Sequence, residues 1–305
     1  MKNEQVKKEQ EKGEQIERVT FLGPIGATFS HDTYNVLAKM YGAPKVTKTN
    51  YVPAGTNEEV LKLIRQHGGY GAIDMETLAE CRVNESSESF IELLTSYMKL
   101  DECPFRVIGA VKLKLHFCLM VRQDVNESMI TKIVAHKKAL GACKERIAKI
   151  MLPTADAPSN GEAARRVAES EEYATYAALG TRSAADKYGL KVLCEAFEDR
   201  EAVTTFFLIA PSSHGMSVGK ENRALIVFKV PHKPGALVKS LLPFEQENLN
   251  LIQIHSAQTG NHTYNFAIEI EVKESELEAF GRAMEMFMQH VDIYLSFGPF
   301  QVLSR

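Results

Sequence analysis

Short apolar runs alternate with helix-length amphipathic segments down almost the whole of this 305-residue chain, which restricts it to an α/β architecture. Residues 19–22 are apolar and break at Gly23-Pro24. Ser30-His31-Asp32 then opens a helical pattern through Tyr34, Val36, Leu37 and Met40. The pattern predicts a strand, a tight turn and a helix capped by Ser30 or Asp32. Residues 57–66 place Val60, Leu61 and Ile64 on one helical face, Gly68-Gly69 ends the helix, and 70–75 read as the next strand. Runs at 106–111 and 116–121 have β character, and a largely parallel sheet is expected. A second α/β unit starts near Ile130: strand 131–135, helix 138–151, loop 153–160, helix 161–170, strand 176–179, helix 183–188, then strands 192–197 and 203–209.

Pro211-Ser212-Ser213-His214-Gly215 is polar and turn-rich and marks a linker over 211–222. Beyond it the order is strand 224–230, helix 236–247, strand 249–258, a turn at Thr259-Gly260-Asn261, strand 264–272, helix 275–290 and strand 293–297. That is the βαββαβ order of the ferredoxin-like fold, which by itself says nothing of function. Strand 249–258 carries apolar residues on both faces, Leu249 and Leu251 on one and Ile252 and Ile254 on the other. A second cover is therefore expected besides the unit's own helices, supplied by another copy in a homodimer or homotetramer.

At 305 residues there is room for two or three domains, and 45% hydrophobic with 25% charged residues is ordinary for a globular protein. A net charge of −3 argues against a nucleic-acid partner, and no apolar run of 18 residues points to a membrane span. Residues 1–18 form a charged tail with no apolar signal core, so a cytoplasmic protein is expected. Cys81, Cys103, Cys118, Cys143 and Cys194 are odd in number and form no CxxC pair; reduced thiols are expected, with no metal and no cofactor.

Three segments carry candidate chemistry. In Leu22-Gly23-Pro24-Ile25-Gly26-Ala27-Thr28-Phe29-Ser30, small and hydroxyl residues precede a helix start, where N–H groups can meet an anion. Val203-Thr204-Thr205-Phe206 lies on a strand, and Lys233-Pro234-Gly235-Ala236-Leu237 is a turn into a helix.

The first two segments resemble the Gly-Pro-x-Gly opening and the Thr-Arg-Phe motif of prephenate dehydratases, and the third resembles the start of an ACT domain. Tyr70-Gly71-Ala72-Ile73-Asp74-Met75-Glu76-Thr77, His136 with Ala139-Leu140 and Cys143, and Ala184-Ala185-Asp186-Lys187-Tyr188-Gly189-Leu190 extend the resemblance through most of the chain. It implies a two-lobed, periplasmic-binding-protein-like catalytic domain over 19–210, with a second lobe at about 130–195, then a ferredoxin-like ACT domain over 223–305. The implied reaction expels carbon dioxide and hydroxide from prephenate to give phenylpyruvate, on the route to phenylalanine. Thr204, Glu76 and His136 are the catalytic candidates. Gly26, Thr28, Ser30, Thr77, Lys137, Lys138, Thr205 and Phe206 are expected at the substrate. Gly235, Ala236, Leu237, Asn250 and Ser256 are expected at an amino-acid effector. Thr205 stands where the motif has Arg, Asp74 where the family has Pro and Thr77 where it has Asn. The missing cation could come from Lys137, Lys138, His31, His136 or Arg182. Two other readings stay open: a prephenate decarboxylase that keeps the hydroxyl, and a non-catalytic binding protein.

Overall fold

The computed structural model describes residues 17–74, 94, 97, 103–215, 218–260 and 263–304. Its first lobe holds β1 (Val19–Leu22), α1 (Phe29–Tyr41), β2 (Tyr51–Ala54), α2 (Asn57–His67), β3 (Tyr70–Asp74), β4 (Phe105–Leu115) and, returning late in the chain, β10 (Ala202–Pro211). β1 runs parallel to β2 and β3, but β10 is antiparallel to both β3 and β4, so the sheet is mixed rather than largely parallel. α1 covers one face through Tyr34 and Leu37, in a core shared with Phe21, Phe206 and Leu208. α2 covers the other face with the expected Val60, Leu61 and Ile64, against Ile73, Phe207 and Ile209.

The second lobe comprises β5 (Cys118–Val121), β6 (Lys132–Ala135), α3 (Lys137–Ala142), α4 (Lys144–Ile150), β7 (Thr154–Asp156), α5 (Asn160–Glu169), β8 (Tyr176–Gly180), α6 (Arg182–Tyr188) and β9 (Lys191–Cys194). Its sheet order is β7-β6-β8-β5-β9. This lobe starts earlier than the expected residue 130, because β5 pairs antiparallel with β8 and β9. The expected helix 138–151 is two helices, broken at the non-helical Cys143.

The chain crosses between lobes at 115–118 and again at 194–202. The crossings are joined by the Phe197 N–H donating to the Phe117 carbonyl at 2.8 Å. Glu198 is 8% exposed there, accepts the Phe117 N–H at 3.0 Å and meets His116 Nδ1 at 2.8 Å. Burial pushes its carboxyl pKa up, but the Phe117 N–H, its own N–H and His116 outweigh burial and hold it below the usual range.

The C-terminal unit is β11 (Glu221–Lys229), α7 (Ala236–Gln246), β12 (Asn250–Gly260), β13 (Thr263–Lys273), α8 (Leu277–Phe287) and β14 (Ile293–Ser304). It has the expected βαββαβ order. α7 and α8 pack on one face, with Phe244, Phe280 and Phe287 against Ile226, Phe228 and Ile268. The second cover differs from the expectation. Leu225, Val227, Ala267, Phe297 and Phe300 share one core with Ile73, Phe105, Phe207 and Ile209 of the first lobe, so the same chain covers that face. On the outer strand β12, Ile252 and Ile254 stay exposed, and a register shift between Leu251 and Gln253 puts Ile254 opposite Ile268, on the helix-covered face with Leu251 rather than on the other face as expected. β14 is also much longer than the expected 293–297, and it joins both units into a nine-stranded sheet, β12-β13-β11-β14-β4-β10-β3-β1-β2. Among the described residues no helix is long and apolar enough to cross a membrane.

Candidate active site

The turn after β1 enters α1 with Thr28 as its cap, not Ser30 or Asp32. The Thr28 hydroxyl accepts from the His31 N–H at 3.2 Å and donates to the Leu22 carbonyl at 2.9 Å. Gly26 sits at φ +72, where glycine alone is unstrained. The second lobe is closed on this turn. Pro24 and Ala27 pack so tightly on Gly161 of α5 that a Cβ there would lie 2.6 Å from Pro24 Cδ and 2.7 Å from the Ala27 carbonyl oxygen. Ser183 of α6 donates to Asp32 at 2.7 Å, and the Lys187 ammonium donates to the Ile25 carbonyl. Ser30 is buried at this seam.

β10 runs antiparallel to β3, so its start lies at the C-terminal edge of β1 and β3, where open α/β sheets bind ligands. Phe206 pairs with Asp74, the last residue of β3, and Thr204 lies two residues further out. Strand alternation puts Thr204 on the face of Phe206, the face covered by α1, and the N-terminus of α1 lies at the same edge. Thr204 is 2% exposed. Thr205 falls on the opposite face, and Phe206 is a core side chain packed beneath α1. Glu76 and Thr77 lie outside the described residues.

In the second lobe, β6 leads into His136, the cap of α3. Its N–H donates to Asn160 Oδ1 at 2.9 Å, and its Nδ1 accepts the Lys138 N–H at 3.4 Å. Burial first, then the charges of Lys138 and Lys137, push its pKa below the ordinary histidine value. A neutral ring keeps the lone pair that the cap requires. The fold therefore prefers the unprotonated form, so this contribution to stability is full above about pH 6.5 and is lost as pH falls through the depressed folded value. Thermal midpoints from pH 8 to pH 5 should fall further for the natural chain than for His136→Asn, whose amide caps without titrating. Parallel curves would contradict the assignment.

Of the candidate cations, Lys138 reaches across the seam: its ammonium lies 3.4 Å from Asp74 Oδ1. Asp74 Oδ2 also accepts from Asn57 Nδ2 at 3.0 Å. Lys137 is exposed, Arg182 is paired on the surface with Glu195 and Asp186, and His31 is held by Asp32 at 3.2 Å. Asp74, Asn57 and Asn160 were not among the expected site residues. Two of them carried a sequence signal: Asp74 stands where the family has Pro, and Asn160 lies in Ser159-Asn160-Gly161, where the family has Ser-Thr-Ala.

In the C-terminal unit, Gly235, Ala236 and Leu237 line a cavity of about 380 Å³ with Lys229, Tyr264, Phe266 and Asp292. Asn250 and Ser256 are exposed on β12 and do not line it.

A sequence model described as prephenate dehydratase matches residues 19–214. The bifunctional chorismate mutase/prephenate dehydratase of Stutzerimonas stutzeri is 30% identical over 84% of this chain, which spans only 66% of that relative's length. The solved prephenate dehydratase of Arthrobacter aurescens, in complex with L-Phe, superposes with a TM-score of 0.72 at 23% identity, covering 92% of this chain and 89% of that one. GqqA, described as a novel type of quorum quenching acylase, superposes equally well, with a TM-score of 0.72 at 18% identity over 95% of this chain and 98% of that one. At those identities the two structures establish the shared fold and nothing about chemistry. The match over 19–214 covers both lobes and the strand of Thr204, and by it the chain belongs to the prephenate dehydratase family.

Proposed function

We propose that the chain is a prephenate dehydratase whose substrate binds at the lobe seam, between Thr204 and Lys138. The observation that carries the reading is a buried threonine at the ligand edge of one lobe, with a lysine from the other lobe reaching that edge's last β3 residue. In the reaction the ring carboxylate leaves as carbon dioxide. Its electron pair enters the ring, and the hydroxyl departs as water once it receives a proton. Thr204 hydrogen-bonds that departing hydroxyl. Lys138 exchanges Asp74 for a substrate carboxylate, since a carboxylate in a partly dry seam needs a cation. Entry requires the lobes to part at Gly161.

The two seam charges make opposite predictions. Lys138→Met should raise KM for prephenate by roughly ten- to a hundredfold, the scale of a lost charge-assisted hydrogen bond. Asp74→Asn should lower KM, because it removes the competing carboxylate. Initial rates of phenylpyruvate formation test both, and unchanged KM in both variants would remove Lys138 from the site.

The cavity beside α7 fits the effector role of an ACT domain. The N–H groups at a helix start favour a carboxylate, Asp292 can meet an ammonium, and Tyr264 with Phe266 gives an aromatic wall. Phenylalanine is the ligand to test by calorimetry. The exposed Ile252 and Ile254, with Val238 and Leu242 of α7, are where a second copy would pack. A decarboxylase remains the second reading, favoured by the uncharged Thr205 and by the Asp74 that already neutralises Lys138.

A further inference from the structure

We infer that residues 302–304, at the end of the C-terminal unit, act as a strand of the catalytic lobe, positioning the strand of Thr204 and tying it to the cavity beside α7. β14 is a 12-residue strand, on the order of 40 Å long. From Ile293 to Gln301 it pairs with β11, and at Val302 it changes partner. Val302, Leu303 and Ser304 pair with Ala110, Val111 and Lys112 of β4. The same β4 residues pair on their other side with Phe207, Phe206 and Thr205. Unbroken rows therefore run Leu303–Val111–Phe206 and Ser304–Lys112–Thr205, and Thr204 is the next residue along β10.

Side chains reinforce the ladder. Phe300 is fully buried edge-on to Phe207, with ring centroids 5.2 Å apart, and Phe297 stacks on Phe105 at 5.8 Å. Leu303 packs into the core that holds Phe206. At the far end, Asp292 precedes the strand, lines the cavity, and donates its N–H to Lys229 at 2.9 Å. One strand thus has its first residue beside the cavity and its last in the catalytic sheet. Without 302–304, β4 becomes a sheet edge over 110–112, its backbone groups unpaired. A shift of even an ångström in the neighbouring β10 is enough to lower a rate by about a hundredfold. An element that both share gives a ligand at the cavity a direct route to the seam.

The test compares the full chain with one ending at Gln301, by amide hydrogen exchange. Amides of β4 and β10 over 107–113 and 204–208 should exchange at least about tenfold faster in the shortened chain, while β11 and β13 stay protected. If the shortened chain fails to fold, Leu303→Ala should speed exchange at 110–112 severalfold, and Leu303→Ile should restore it. Exchange in β4 unchanged in whichever of these variants folds would overturn the inference. A second arm rests on the dehydratase and effector readings: phenylalanine should still bind the shortened chain but no longer alter its turnover of prephenate. A full chain that turns over no prephenate would sink the dehydratase reading, and the exchange comparison would still decide this one.

Discussion

Replacing Thr204 by alanine should lower phenylpyruvate formation from prephenate by roughly two to four orders of magnitude, the usual scale for losing a positioned proton donor. Thr204 is 2% exposed and at the ligand edge of the sheet, so the loss should fall on kcat rather than on KM. Thr204→Ser keeps the hydroxyl and should recover most of the rate. Far-UV circular dichroism and the thermal midpoint should remain near those of the natural chain, since the change deletes one hydroxyl and one methyl. A Thr204→Ala variant with natural turnover would place the proton donor elsewhere.

Gly161→Ala should also be severe, although glycine-to-alanine in a helix is ordinarily stabilising. The added carbon would meet Pro24 Cδ at 2.6 Å and the Ala27 carbonyl at 2.7 Å, both on the opposing lobe. Neither is the far end of a flexible side chain, so the lobes must separate. Overpacking of this kind costs about 1–3 kcal/mol, which lowers the closed-to-open ratio by about five- to a hundred-and-fifty-fold. Small-angle scattering should report a larger radius of gyration and kinetics a lower kcat/KM. A variant as compact and active as the natural chain would mean that closure at Gly161 plays no part in turnover.

The elements were legible because apolar periodicity is local. Val60, Leu61 and Ile64 fall on the buried face of α2, and Ala236 opens α7 after Gly235, as the pattern requires. What failed was long-range. Nothing in 116–121 tells whether that strand pairs within the first lobe or, as it does, with β8 and β9. Gly298-Pro299 reads as a strand end, yet a register shift between Arg223 and Leu225 of β11 lets β14 continue to Ser304. The second apolar face of the C-terminal sheet was legible as needing a cover, but an apolar face does not say whose surface covers it. At the site, Thr204, His136 and Lys138 could be proposed from motif positions. The Lys138–Asp74 pair could not, because it joins residues 64 apart in the chain and on different lobes. Thr205 was grouped with Thr204 by motif, whereas strand geometry places the two on opposite faces.

The most direct measurement is the product formed when the purified chain meets prephenate, followed by proton NMR. The account predicts aromatic ring signals of phenylpyruvate, with carbon dioxide released in equal amount, at a rate that collapses in Thr204→Ala. Unchanged prephenate, or a non-aromatic dihydro keto acid that keeps the hydroxyl, would contradict it.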